Sequence, residues 1–185
     1  MKATQELKNE HRGIELMLRV LNAISEKVGH GEPLHPPHID GIMEFLTIFI
    51  DKCHHGKEEE FLFPALEAAG VVKEGGPIGV MLSEHEQGRK LAARLKQFVS
   101  DYRSGDRQAA GGIQQTVKAY VDLLTQHIAK EDAVLFPMAD TRLDADRDAA
   151  LYSAFEKLEH ERIGEGKHEA FHALLDELQN IYLTK

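Results

Sequence analysis

The sequence contains two histidine–glutamate pairs with helical spacing. His54 precedes Glu58 by four residues, and His127 precedes Glu131 by four. Residues four apart lie on one side of an α-helix, so each pair could hold a metal ion between an imidazole nitrogen and a carboxylate oxygen. Both pairs continue otherwise apolar stripes, which predicts that they face the interior. A buried carboxylate is costly unless a cation lies beside it, and this cost favours metal binding over a solvated ion pair.

Two further histidines lie on apolar stripes of other predicted helices. His11 is in line with Ile14, and His85 is in line with Met81. A lone histidine on such a stripe is usually only a core residue, but two histidine–glutamate pairs beside it favour a ligand. The set of imidazoles and carboxylates suits two metal ions with bridging carboxylates, and it fits iron better than the thiolate-rich sites of structural zinc.

The register of the first pair depends on an internal repeat. The repeat shares His, Lys, Glu, an acidic residue and Leu-Phe-Pro at identical offsets in residues 54–64 and 127–137. His55 and Glu59 also have helical spacing and are an alternative to His54 and Glu58. The repeat favours His54 and Glu58, because the second copy has Ile128 where His55 stands. The residues then expected beside the ligands or on the surface are His55, Glu59 and Asp132.

The elements that position these residues are predicted to be helices throughout. Apolar residues recur with a period near 3.6, and Gly- and Pro-rich stretches separate the periodic segments. The predicted helices cover residues 4–28, 38–63, 78–103, 107–136, 144–163 and 167–183. Pro64 is expected to bend or break the second helix. The fold class is therefore all-α, an antiparallel up-down four-helix bundle with two additional C-terminal helical segments. We expect one domain overall, with the bundle in 1–140 and the extension packed on it in 141–185.

Composition restricts the partners. The net charge of −9 argues against nucleic acid and against an anionic membrane surface as partners. No apolar run is long enough to span a bilayer, and the N-terminus has no apolar region typical of a secretory signal. The single cysteine, Cys53, cannot form an internal disulfide, which is compatible with a reducing compartment. We therefore expect a cytoplasmic protein, and the sequence leaves its oligomeric state open.

The order His, His-x3-Glu, His, His-x3-Glu resembles the hemerythrin-like, or HHE cation-binding, family across residues 5–140. Within the family the spacings are most like those of the iron-centre repair proteins. The resemblance implies a four-helix bundle with a carboxylate-bridged pair of non-haem iron ions, for which manganese or zinc could substitute. Carried over by position, the implied ligands are His11, His54, Glu58, His85, His127 and Glu131.

One departure from the family pattern bears on function. Oxygen-carrying hemerythrins have five histidine ligands, two of them one turn apart on the third helix, but here Arg89 stands one turn after His85. A missing nitrogen ligand argues against a reversible oxygen carrier and favours open positions for chemistry with oxygen, hydrogen peroxide or nitric oxide, or iron handling. Arg89 could stabilise a bound anion or lie at the surface. The alternative function is an oxygen- or iron-binding, sensing or storage module without turnover, and the sequence does not decide whether the protein is an enzyme.

The histidines of the C-terminal segments are expected to be solvated. Glu159-His160-Glu161 could approach the bundle and cap the metal site, but a solvated helix face is the favoured interpretation. The sequence assigns no role to His160 or His168.

Overall fold

The computed structural model describes residues 1–164 and 166–184, and within them the chain forms helices and no strand. The helices are α1 (Lys2–Gly29), α2 (residues 36–68), α3 (Pro77–Arg103), α4 (residues 109–142), α5 (Ala145–Arg162) and α6 (Lys167–Tyr182). The all-helical prediction is confirmed, and the predicted helix ends lie within a few residues of the observed ones. None of the helices in the described residues is both long enough and apolar enough to cross a membrane.

Helices α2 and α4 change their hydrogen-bonding pattern along their length. Helix α2 runs through α-helical Pro36–Glu44, π-helical Phe45–His55 and Glu58–Leu62, and α-helical Phe63–Ala68. Helix α4 runs through α-helical Ala109–Lys130, π-helical Glu131–Leu135 and α-helical Phe136–Arg142. Short π-helical stretches inside helices are frequent at functional sites, and here they contain several of the predicted ligands.

The expected break at Pro64 is wrong, because the helical backbone continues across this residue to Ala68. Pro64 and Pro137 both stand at the first positions of the α-helical turn that follows a π-helical stretch. A proline has no backbone N–H to donate, and at the start of a turn that donor is dispensable. The Leu-Phe-Pro ending of the repeat therefore marks a change of hydrogen-bond register inside a helix.

The core consists of two apolar clusters with a polar layer between them. On α1, Leu7 belongs to one cluster and Ile14 to the other, and the predicted ligand His11 lies between them. On α2, Ile50 and Leu62 flank the predicted ligands in the same way. Each fully buried Leu or Ile contributes roughly 1.5–3 kcal/mol, so both clusters hold the polar layer firmly in place.

The C-terminal helices pack on α1 and α2. Phe155 of α5 is fully buried in the second cluster. Phe171 of α6 lies edge-on to two rings of α2, with centroid distances of 5.4 Å to Phe45 and 5.8 Å to Phe49. Because of these contacts, α5 and α6 cover the side of α1 and α2 that lies behind the predicted ligands.

Candidate metal centre

Each of the helices α1 to α4 places one predicted histidine in a single buried pocket. Nε2 of His11 lies 3.1 Å from Nε2 of His54, and Nε2 of His85 lies 3.1 Å from Nε2 of His127. All four rings are at most 1% exposed. The structure therefore brings together histidines from four helices, with their ring nitrogens converging in pairs.

The two predicted glutamates lie between these histidine pairs, and both are fully buried. Oε2 of Glu131 is 3.3 Å from Nε2 of His11 and 3.3 Å from Nε2 of His127. Oε2 of Glu58 is 3.4 Å from Nε2 of His85. Each carboxylate thus lies within reach of an imidazole, and Glu131 connects the two pairs.

His55 also lies inside the pocket, although it was expected beside the ligands or on the surface. Its ring is 3% exposed and stacks on His85 with a centroid distance of 3.8 Å. The π-helical stretch Phe45–His55 explains the difference, because a wider helical turn reduces the angle between neighbouring side chains, so that His54 and His55 both point inward. The pocket therefore contains five imidazoles, one more than the four expected from the sequence.

The buried donors form two groups whose atoms lie within 4.8 Å of one another. One group is His11, His54, Glu58 and Glu131, and the other is His55, Glu58, His85 and His127. Within residues 1–164 and 166–184, neither oxygen of Glu58, neither oxygen of Glu131 and neither ring nitrogen of His55 has a partner with hydrogen-bond geometry. Buried carboxylates without a partner cost several kcal/mol, and imidazole with carboxylate is a donor set that suits iron, manganese or zinc. The residues present therefore fit a metal centre.

Comparison with known proteins agrees with this geometry. The sequence pattern of the hemerythrin HHE cation binding domain matches residues 2–139. The chain belongs to this family. It is 26% identical to uncharacterized protein Rv1995 of Mycobacterium tuberculosis over 179 residues, which cover 97% of this chain and 68% of that protein. No solved structure matches the chain.

The chain is also similar to proteins named iron-sulfur cluster repair protein YtfE. It is 30% identical to the one from Dickeya chrysanthemi over 118 residues, which cover 62% of this chain and 52% of that protein. It is 29% identical to the one from Escherichia coli O1:K1 over 129 residues, which cover 68% of this chain and 56% of that protein. The similarity thus includes little more than half of each repair protein.

A second layer of carboxylates surrounds the histidines of this HHE domain. The contacts from histidine Nδ1 to a carboxylate oxygen are His11 to Asp132 at 2.9 Å, His54 to Glu10 at 2.7 Å, His85 to Glu59 at 2.7 Å and His127 to Glu84 at 3.0 Å. Such contacts fix the ring so that Nε2 points at the metal position. Sequence reasoning missed Glu10 and Glu84, although each directly precedes a predicted histidine ligand.

Lysines contact these outer carboxylates, and the two equivalent lysines of the repeat differ in how deeply they are buried. Nζ of Lys57 is fully buried and donates to Glu6 at 2.5 Å, Glu10 at 2.6 Å and Glu159 at 2.9 Å. Its counterpart in the repeat, Lys130, donates to Glu84, and its side chain is 40% exposed. Glu159 belongs to α5, so the C-terminal extension is what encloses the lysine on one side of the pocket only.

Arg89 does not point into the pocket. Its guanidinium donates to Asp51 at 3.1 Å and to Glu59 at 3.0 Å. Since Glu59 contacts Nδ1 of His85, Arg89 supports a carboxylate that orients a predicted ligand. Arg89 therefore lies outside the pocket and pairs with carboxylates, and it is not placed to contact an anion bound between the predicted ligands.

The charges of the pocket are arranged to hold cations. Burial disfavours a charged ring, yet the carboxylates of Asp132 and Glu131 raise the pKa of His11 to about 9. The pKa of His85 is also raised to about 9. Burial raises the pKa of Glu131 to about 8 and lowers that of His54 well below its usual value. Metal binding to these imidazoles and carboxylates would therefore be accompanied by release of protons.

Proposed function

We propose that this protein holds a carboxylate-bridged pair of non-haem iron ions between its two donor groups. The observation that carries the proposal is the presence of two fully buried glutamates whose oxygens have no hydrogen-bond partner and lie among five imidazoles. The proposed ligands are His11, His54, His55, Glu58, His85, His127 and Glu131. Manganese or zinc would find the same donors acceptable, because geometry and availability rather than affinity select among such metals.

The scaffold of this centre is proposed to be an antiparallel up-down four-helix bundle formed by α1 to α4. Support comes from the short connection between α3 and α4 and from the packing of α1 on α4. We further propose that residues 1–140 form the bundle and that 141–185 are an extension of the same domain. The buried Phe155 and Phe171 support this division, since both anchor the extension to the apolar clusters.

The proposed activity is redox chemistry or iron handling with oxygen, hydrogen peroxide or nitric oxide, in a cytoplasmic setting. When bound, an iron pair would supply electrons and coordination positions for these molecules. The protein's own residues hold the ring nitrogens in place through the outer carboxylates and exclude bulk water. Phe136 stacks on His11 at 5.4 Å and Phe63 stacks on His85 at 5.7 Å, so that aromatic walls close the pocket at one end. The similarity to proteins named for iron-sulfur cluster repair supports a role in repair of damaged iron centres.

A second candidate is reversible oxygen binding or sensing without turnover. The inward position of His55 favours it, because a fifth imidazole restores the number of nitrogen donors that the oxygen-carrying relatives have. The two candidates are separated by reaction of the reduced, iron-containing protein. A rate with peroxide or nitric oxide above that of free iron supports the first, and a stable oxygenated spectrum that reverses under vacuum supports the second.

The iron centre itself is tested by metal analysis of protein produced with added iron. We expect about two irons per chain, the number that the two donor groups predict, with near-ultraviolet absorption of an oxygen-bridged pair. Glu131→Ala should lose this absorption, whereas His30→Ala, which removes an exposed loop histidine, should keep it. Protein without iron, or with a zinc ion that Glu131→Ala leaves in place, would contradict the proposal.

A further inference from the structure

Helix α6 carries a third pair of converging imidazoles, which the proposed iron centre does not use. His168 and His172 are one helical turn apart, and their Nε2 atoms lie 2.9 Å from each other. In the buried pocket the paired Nε2 atoms of the proposed ligands lie 3.1 Å apart. The pair on α6 thus has the arrangement that two imidazoles need to share one metal ion.

A carboxylate from another helix holds the first of these rings. Oε1 of Glu159 on α5 is 2.6 Å from Nδ1 of His168, and its other oxygen accepts from Lys57. This leaves Nε2 of His168 as the nitrogen that faces His172. As with His54 and Glu10 in the buried pocket, a carboxylate lies close to Nδ1 while Nε2 faces a second imidazole, although the contact of Glu159 with His168 does not have hydrogen-bond geometry.

The pair opens into an acidic cleft. The cleft has a volume of about 510 Å³, lies among α1, α2, α5 and α6, and includes Glu6, Glu156 and Glu169 in its lining. Converging carboxylates raise the local concentration of cations, so the cleft favours a metal ion over an anionic ligand. Its acidic lining agrees in sign with the net charge of the whole chain, −9.

We propose that His168 and His172 bind a divalent transition-metal ion of the zinc, nickel or copper class at this cleft, outside the buried centre. Imidazole donors select these metals over calcium and magnesium, which require oxygen ligands. The ion would fix α6 to α5, because Glu159 holds the ring of one ligand. Between the two sites lies the contact series Glu159, Lys57, Glu10 and His54, so the ions would not share a ligand.

Zinc binding to the full chain, with the buried centre already filled with iron, tests the site. Equilibrium dialysis near neutral pH should find an additional zinc ion per chain. Both His168→Ala and His172→Ala should lose this zinc while the iron content stays unchanged. His35→Ala should keep it, because His35 is exposed and stacks on a neighbouring histidine, His38, without any nitrogen contact between the rings.

A second measurement distinguishes the loss of a zinc ligand from the unfolding of α6. His172→Asn leaves the contact of Glu159 with His168 intact, so α6 should keep its helical circular dichroism and lose zinc. In the wild-type chain, zinc should slow amide exchange along α6, and in His172→Asn it should not. The proposal is overturned if the wild-type chain takes up no additional zinc, or if that zinc persists when both histidines are replaced.

Discussion

At the level of single residues, the two halves of the centre carry equivalent histidines and outer carboxylates, with one exception among the imidazoles. His11 corresponds to His85, and the Glu10 contact to His54 has its equivalent in the Glu84 contact to the histidine of α4. His55 has no such equivalent, because the second copy of the repeat carries Ile128. One proposed iron position therefore has an imidazole more than the other, and the two ions would differ in reactivity.

Replacement of His55 by isoleucine tests this asymmetry. Isoleucine is the residue that the other repeat carries at this position, so His55→Ile should fold. The second donor group would lose a nitrogen and have two imidazoles like the first, so we expect about two irons per chain to remain and the near-ultraviolet absorption of the iron pair to change. Metal analysis and absorption spectroscopy measure these two quantities, and circular dichroism checks the fold. An unchanged iron content and an unchanged spectrum would show that His55 only packs against His85.

The burial of the six predicted histidines and glutamates in one pocket could be expected from the sequence, because each interrupts an apolar stripe, where a charged or polar group needs a partner. His55 could not be predicted in this way. The prediction rested on the α-helical angle between neighbouring side chains and on equivalence of the two repeats. Neither holds at His55, because it lies in a π-helical stretch. Glu10 and Glu84 were accessible in principle, since the dipeptide Glu-His recurs on α1 and α3.

At the level of helices, periodicity predicted the elements well and their internal geometry poorly. The apolar period fixes which face is buried, and it tolerates a local change from α to π hydrogen bonding. The sequence therefore predicted a helix end at Pro64, where the structure has only a change of register. The helices α5 and α6 were predicted as elements, but the contact of α5 with Lys57 depends on Glu159, a residue distant in sequence.

The extension makes Lys57 a structural residue, and its repeat counterpart provides the control. Although burial lowers it, the pKa of Lys57 is raised above its usual range by the carboxylates of Glu10 and its neighbours. Lys57→Met would leave several carboxylates without their cation, which should lower the free energy of unfolding by about 3–5 kcal/mol. Lys130→Met should cost less, about 1 kcal/mol, because Lys130 is 40% exposed and Glu84 keeps its contact with His127.

Urea unfolding of the metal-free proteins followed by circular dichroism measures both free energies under the same conditions. Equal losses for the two lysine variants would contradict the assignment of Lys57 as the buried centre of an ion network. A small loss for both would indicate that the carboxylates around Lys57 take up protons instead. Burial already raises the pKa of Glu10 to about 7. A small loss of stability should therefore appear first at acid pH, where Glu10 takes up a proton.

At the level of the whole molecule, a layer of histidines and carboxylates lies between two apolar clusters, and the extension closes one side. The clusters supply the stability that permits buried charges, since each large apolar side chain offsets part of their desolvation cost. Metal binding would remove the remaining cost by neutralising Glu58 and Glu131. Folding, metal binding and docking of the extension are therefore expected to be coupled.

Phe171 tests whether the extension belongs to the same cooperative unit. Its ring is 3% exposed and contacts Phe45 and Phe49 in the larger cluster. Phe171→Ala should lower the free energy of unfolding of the whole protein by about 3–5 kcal/mol, because the cavity opens inside a shared core. Phe98 is only partly buried where it packs against that cluster, so Phe98→Ala is the milder control. Denaturant unfolding read by both circular dichroism and iron absorption should give coincident transitions for the two variants. If Phe171→Ala instead releases α6 alone, with iron absorption and the main transition unchanged, the extension is a separate unit that only rests on the metal-binding helices.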